Sequence, residues 1–200
     1  MAEQRSLRTH GWAKAVTALV MTLLALVAAP ATAGATTGGA TTGGGEFAAQ
    51  ARSAGLTGAQ ARSLQGRVDD YLAKTHGTQV GANKIALDRG GFLLLTLPGE
   101  QRARDLDAKD AAAAAALSCP YTYVCAYKYE DFTGDAMFLF DCGVMNHIIW
   151  NTTGSWINNQ RSTLYAKFYD SAGNLGWTSP GGYSEDRHAP WGWVWYLSPC

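Results

Sequence analysis

The chain has 200 residues, with 16 Lys plus Arg balanced by 16 Asp plus Glu, and so carries no net charge. That balance excludes a wholesale basic nucleic-acid binder and an acidic solvating tail. The distribution is uneven: 18 of the 22 aromatic residues and all four cysteines fall between Cys119 and Cys200, so one short, cysteine-closed region holds most of the specific chemistry.

Residues 1–33 read as a secretory signal. Arg5, Arg8 and Lys14 form a positive start, Ala15 to Ala29 is an uncharged, mostly apolar run, and Ala31-Thr32-Ala33 after Pro30 is a small-residue cleavage site. A membrane anchor is the other reading of such a run, but about 15 residues fall short of the roughly 20 that cross a bilayer. The mature protein is therefore expected outside the cell and off the membrane, where cysteines persist as disulfides. Residues 34–45, made of Gly, Ala and Thr, cannot bury enough surface to offset backbone entropy and read as a flexible linker.

Residues 46–99 read as a helix followed by a hairpin. Thr57 with Gln60 three positions on is a capping box, and Leu64, Val68, Tyr71 and Leu72 recur on one helical face, predicting a helix over roughly residues 58–75 that ends at Gly77. Two extended segments follow, Gln79 to Leu87 and Phe92 to Leu97, joined by the turn cluster Asp88-Arg89-Gly90-Gly91 and closed by Pro98-Gly99. A module of this size has a marginal core of its own, so it either folds against the C-terminal domain or serves as a prosegment. Residues 100–118, charged and then rich in Ala, have helix propensity without an apolar stripe; they read as a helical linker, a solvated spacer rather than a partner-binding helix.

Residues 119–200 alternate as strands do. Tyr121, Tyr123, Cys125, Tyr127 and Tyr129 share one phase, Met137 to Phe140 forms a second run and Ser162 to Tyr169 a third, with Gly, Asp, Asn and Pro clusters between them. The pattern predicts a mainly β sandwich of short strands. Four cysteines leave three connectivities open. Cys119–Cys125 with Cys142–Cys200 is the expected pairing, because the second bridge ties the last residue back to mid-domain and closes a long loop. Zinc ligation is disfavoured, since no C-x-x-C unit is present and His147 and His188 stand alone.

The stretch Tyr127-Lys128-Tyr129-Glu130-Asp131-Phe132-Thr133-Gly134 resembles the folded hairpin of a βγ-crystallin Greek key, in which Gly134 takes a positive φ and Tyr127 and Phe132 pack beneath it. Trp156 to Thr163 resembles the Asn/Asp-rich stretch of the same motif, and a second key is read from Tyr169, seven residues before Gly176. Together with the opening Cys119-Pro120-Tyr121-Thr122-Tyr123-Val124-Cys125, the region is similar to the secreted actinobacterial metalloproteinase inhibitors. That resemblance implies two Greek keys over 119–200 and an extracellular protease as partner, met through an exposed loop of the second key. It also implies a reactive loop braced by a close cysteine pair, and this chain has none between Gly143 and Pro199. The candidate loops, Asp170 to Trp177 and Thr178 to Pro190, are then expected to lean on the Cys142–Cys200 bridge and on Trp177 and Trp191.

Three further readings concern chemistry. The crystallin-like stretch implies a calcium clamp of oxygen ligands at Glu130, Asn159, Gln160 and Ser162, the alternative being that these groups cap turns. Trp191, Trp193 and Trp195 alternate, which predicts three rings on one face of a strand, either sealing the core or forming a platform for sugar rings or a partner; Trp177, Trp191 and Trp193 are the candidate partner-binding residues. Glu130, Asp131, Asp135 and Asp141, and Glu185-Asp186 with His188, lack a nucleophile elbow, a metal-binding His pair or a phosphate loop and read as surface acids, so no enzyme is expected. Four basic against seven acidic residues in 119–200 also disfavour nucleic acid. The expected protein is a secreted, monomeric peptidase inhibitor, the alternative being a calcium- or glycan-binding extracellular protein that does not inhibit.

Overall fold

The computed structural model describes residues 42–108 and 118–200, which belong to one compact unit, Ala40–Cys200. The expected secretory segment 1–33, most of the expected 34–45 linker and the Ala-rich half of the expected 100–118 linker lie outside the described residues. Helix α1 (Thr42–Ser53) begins inside the predicted linker, because the good helix formers from Glu46 onward find a bed for Ala51, which is buried against Ala61 and Ala82. Helix α2 (Gly58–Leu72) starts as its spacing predicts: the Gln60 N–H donates to the Thr57 hydroxyl, and the Thr57 N–H donates to the Gln60 side chain. It is shorter than the predicted 58–75, since Lys74 and Thr75 both turn back to donate to the Tyr71 carbonyl. Leu64, Val68 and Tyr71 on its inner face are buried, each contributing about 1.5–3 kcal/mol.

The first predicted extended segment is itself a hairpin. Strands β1 (Gly77–Gly81) and β2 (Lys84–Leu87) pair antiparallel around Asn83, whose amide donates to the carbonyls of Leu95 (2.8 Å) and Arg104 (2.8 Å). Strand β3 (Phe92–Leu94) pairs with β2 on one side. Residues 100–108 are not helical. They run as irregular chain pinned by tertiary partners: Lys84 Nζ lies 2.7 Å from Asp105, Gln50 donates to Asp107 at 2.6 Å, and the Gly134 N–H donates to the Gln101 carbonyl. Fixed ionic and amide partners override the intrinsic propensity of this stretch.

The remaining strands are β4 (Tyr123–Tyr129), β5 (Thr133–Leu139), β6 (Asn146–His147), β7 (Thr153–Asn159), β8 (Lys167–Tyr169), β9 (Leu175–Thr178), β10 (Ser184–Pro190) and β11 (Tyr196–Ser198). The predicted third run, Ser162 to Tyr169, contributes only its last three residues as strand. Two antiparallel sheets result, a seven-stranded one in the order β1-β2-β3-β5-β4-β7-β10 and a four-stranded one in the order β6-β11-β8-β9. Strands β4 to β7 and β8 to β11 follow one plan twice: a hairpin, a third strand that crosses to the other sheet, and a fourth that returns beside the first. The crossing strands β6 and β10 stitch the two sheets together.

Alternation along the central strands separates two cores. Val124, Ala126, Met137, Leu139 and Trp156 face the second sheet and α2, with Phe168, Trp191 and Leu197. Cys125, Tyr127, Ala136, Phe138 and Ile157 face the opposite way beneath Cys119 and Phe132. At the β4–β5 turn Gly134 has φ 82°, and the Tyr127 and Phe132 rings meet edge to face at 5.5 Å, as the hairpin motif predicts.

Residues 77–94 are continuous with this sandwich. Strand β3 pairs with β5, placing Phe92 opposite Phe138 and Leu93 opposite Met137. Asp135 of β5, 1% exposed, accepts hydrogen bonds from the Tyr71 hydroxyl (2.6 Å), the Thr96 N–H (2.9 Å), the Thr96 hydroxyl (2.9 Å) and the Arg67 guanidinium. The Trp150 indole donates to the Tyr71 oxygen at 3.0 Å, so one polar network spans helix α2, the hairpin and the sandwich.

The disulfides are Cys119–Cys125 and Cys142–Cys200, with Cα separations of 5.6 and 4.7 Å. The second closes a loop of 58 residues. Replacing both Cys142 and Cys200 by Ser is expected to lower stability by about 4 kcal/mol in the chain-entropy model. Urea unfolding measures it; a loss under about 1 kcal/mol would mean that packing of Leu197 and Ser198 alone holds the terminus.

Candidate functional site: an edge strand anchored at both ends

Strand β9 is the outer strand of the smaller sheet, and all four of its residues are exposed. It pairs with β8 through Lys167–Thr178, Phe168–Trp177 and Tyr169–Leu175, which leaves Gly176 as the extra residue of a bulge. A side chain at Gly176 would collide with the Trp193 ring, its Cβ falling 2.4 Å from Cζ3, so Trp193 lies across the strand at the bulge. Trp177 packs one side of its ring on Phe168 (5.1 Å) and Trp156 (5.5 Å) and remains 41% exposed, beside Leu175 at 54%.

The turn before β9 is knotted by Asp170. Its carboxylate accepts the N–H groups of Ala172 (2.9 Å) and Asn174 (2.9 Å) and the Asn174 amide (3.1 Å), and Gly173 closes the turn at φ 80°. The bonds from Asn174, backbone first and then side chain, hold the Asp170 carboxyl below the usual carboxylate range.

The turn after β9 is pinned from beneath by Asn158, fully buried at the end of β7. The Asn158 amide donates to the Leu164 carbonyl (3.0 Å), the Ser179 hydroxyl (3.3 Å) and the Pro180 carbonyl (3.4 Å), while its oxygen accepts the Gln160 N–H and side-chain amide. Ser179, 2% exposed, accepts the Ala166 N–H at 2.9 Å, and Gln160 reaches on to the Pro199 carbonyl at 2.6 Å. From this base the chain emerges to Tyr183, 62% exposed. An extended, solvent-facing segment is therefore fixed at each end by hydrogen bonds.

The four positions of the calcium reading do not converge. Asn159 pairs with Tyr123 at one end of β4, whereas Glu130 follows Tyr129 at the other, about 20 Å of strand away. Asn159 donates its amide to the Cys119 carbonyl at 2.8 Å, Gln160 serves the Asn158 hub, and Ser162 is exposed in the following turn. Glu130 instead lies 3.1 Å from His188 Nδ1, next to an Asp131–Arg187 pair, so the two polar groups read separately in the sequence meet across the β4–β5 turn and β10. Both contacts are largely exposed to solvent, where polar and ionic pairs contribute little. Among the described residues no group of three His, Cys, Asp or Glu is placed to hold a metal ion.

The predicted tryptophan strand does not form. Trp191–Gly192–Trp193 is a single 3-10 turn, and its tighter winding sends successive rings in different directions. Trp191 is 1% exposed in the core and so contributes nothing to a binding surface, while Trp193 joins Trp177 at β9 and Trp195 faces the far side, beside His147. Asp170 and Asn158 were not singled out from the sequence. The Asp170-x-x-Gly173-Asn174 spacing is a readable Asx-turn signal; nothing in the sequence distinguishes Asn158 from Asn159.

The disulfide-bonded sandwich thus presents one extended, solvent-facing strand that is anchored at both ends. Residues 112–178, about a third of the chain, match the model of peptidase inhibitor family I36, the metalloproteinase inhibitor family. The match ends at β9, and the turn anchored by Asn158 follows directly. No curated protein and no solved structure matches the chain. No helix among the described residues is long and apolar enough to cross a membrane.

Proposed function

We propose that this protein is a secreted peptidase inhibitor of two βγ-crystallin-like Greek keys, with a metalloprotease as its target, and that β9, residues 175–178, is the segment it offers to the protease cleft. The observation that carries this reading is β9: an edge strand exposed at every residue and fixed at both ends, lying where the family match ends. A protease binds its substrate extended, so a segment already held in that form avoids the ordering cost that a floppy loop incurs. The repeated plan of β4–β7 and β8–β11, with each third strand exchanged between sheets, supports the Greek-key assignment. Hydrogen bonds from Asp170 and Asn158 do here what a close cysteine pair would do. Residues 42–108 join the seven-stranded sheet at β5, whereas β9 is the outer strand of the other sheet, so inhibition does not require their removal.

Asn158→Ala removes the anchor at one end. It leaves several buried partners unsatisfied, at about 1–3 kcal/mol each in the unfavourable case, and is expected to convert a slowly cut inhibitor into a faster-cut substrate. Inhibition constants and cleavage rates with a thermolysin-type metalloprotease check this, with circular dichroism confirming that the variant is folded. An Asn158→Ala protein that is folded and inhibits like the parent would overturn the anchored-segment reading.

A further inference from the structure

On the side of the molecule that carries Trp195, a groove of about 630 Å³ runs between the end of α2 with the β2–β3 turn and the outer strand β6 of the smaller sheet. Lys74, Asp88, Arg89, His147 and Tyr196 line it, and a second hollow of about 330 Å³ continues from Lys74 and His147 past Trp195 to Asn151. The size is that of a small-ligand site. Aromatic rings line both hollows, Tyr196 the first and Trp195 the second, with His147 in each: its ring stacks on Trp195 at 5.8 Å and 15° and meets Tyr196 at 5.5 Å. Trp195 nevertheless stays 47% exposed. Lys74, Asp88 and Arg89 are all exposed, and none of their side chains has a hydrogen-bond or ionic partner among the described residues. Nothing in the folding of the chain accounts for three unpaired charges around a shelf of flat rings.

We propose that this groove binds an acidic oligosaccharide, a short chain of sugar rings bearing carboxylates. A sugar ring presents a C–H face that stacks on an aromatic plane and a rim of hydroxyls that needs both donors and acceptors. The Trp195–His147–Tyr196 shelf supplies the plane, and Asp88 and Asn151 supply polar groups at the rim. Lys74 and Arg89 have no ionic partner of their own among the described residues, although Asp88 lines the groove and the Asp141 carboxylate lies against Gly90 of the same turn; the two cations are the groups that take a ligand carboxylate, through charge-assisted hydrogen bonds. An extended peptide added to the sheet is disfavoured, because β6 offers an edge of only two residues. A nucleic acid is disfavoured by the chain's zero net charge. The site is separate from β9, so the protein would hold a glycan and a protease at once.

The test is calorimetric titration of the full chain with trigalacturonic acid and with its methyl ester, which keeps the rings and removes the charge. The acid is expected to bind, the ester at least about tenfold more weakly. Trp195→Ala and the pair Lys74→Gln with Arg89→Gln are each expected to weaken the acid by about tenfold or more, whereas Trp193→Ala, at the β9 bulge, leaves it unchanged. The charge pair is wholly on the surface and keeps the test valid if Trp195→Ala misfolds. Equal binding of acid and ester, indifference to both variants, or no heat from either sugar at millimolar concentration overturns the proposal. Protease inhibition is measured on the same samples and is expected to be unaltered by Trp195→Ala and by the Lys74→Gln with Arg89→Gln pair, so a failure of either site is read independently of the other.

Discussion

Asp135→Ala is expected to destabilise the protein by about 3–5 kcal/mol, a large share of the 5–15 kcal/mol that a domain of this size possesses. The carboxylate is the single acceptor on which Arg67, the Tyr71 hydroxyl and both polar groups of Thr96 converge, and its removal leaves the buried Tyr71 and half-buried Thr96 donors without partners. Because those donors come from α2 and the segment after β3 while Asp135 sits on β5, the loss falls on the joint between residues 42–108 and the sandwich. Hydrogen exchange in the Asp135→Ala protein should therefore show α2 and β1–β3 opening before β4, β5 and β7. Uniform opening of the whole sheet would contradict this division. Burial by itself would push the Asp135 carboxyl up, but the Tyr71 hydroxyl, the Arg67 guanidinium and the Thr96 N–H outweigh it and hold the group below the ordinary carboxylate value. A depressed carboxylate adds stability that is present above its unfolded pKa, near 4, and is lost as the pH falls through the lower folded value. Tyr71 acts at the other limit. Burial, and then the Asp135 charge, push its hydroxyl up, so its contribution holds below about pH 10 and fades as the pH rises above that. In Asp135→Ala the acid limb of the stability profile should flatten.

Trp191→Ala should cost about 3–5 kcal/mol by opening a cavity between the two sheets. The indole is 1% exposed, stacks near Phe168 at 6.1 Å, meets Trp150 at a tilt at 6.4 Å, and donates to the Tyr127 carbonyl at 2.8 Å. It thus ties the turn between β10 and β11 to the centre of β4. Trp193→Ala, two residues on and 39% exposed, should lose no more than about 1 kcal/mol. Parallel urea unfolding of the two variants gives the comparison directly. Equal losses would mean that the 3-10 turn does not separate the two rings as described.

Features that depend on neighbours in the chain were legible in the sequence. The Thr57–Gln60 capping box, the shared phase of Tyr123, Cys125 and Tyr127 along β4, and the positive φ at Gly134 are each set within a few residues, and each stands in the structure. Features decided by distant partners were not. Strand β10 reads as a polar loop because Glu185, Asp186, Arg187 and His188 lie on an outer strand whose exposed positions need no apolar residue. Strands β6 and β11 are too short to show a period, at two and three residues. Residues 100–108 have the propensity of a helix and the partners of a loop. The alternating tryptophans match a strand period, yet Pro190 and Gly192 frame a 3-10 turn that breaks it. The four calcium candidates do not converge for a geometric reason that spacing cannot express: Glu130 and Asn159 belong to opposite ends of one strand. Of the candidate binding residues, Trp177 belongs to β9 and Trp193 lies against its neighbour Gly176, an approach made at the bulge that no sequence period expresses.

The most direct test of the inhibitor reading is to titrate the full chain into a thermolysin-type metalloprotease, follow residual activity, and map by mass spectrometry where the chain is cut during long incubation. Saturable inhibition with slow cutting confined to residues 170–183, faster in Asn158→Ala, is the expected result. Undiminished protease activity, with cuts elsewhere or none, would contradict it.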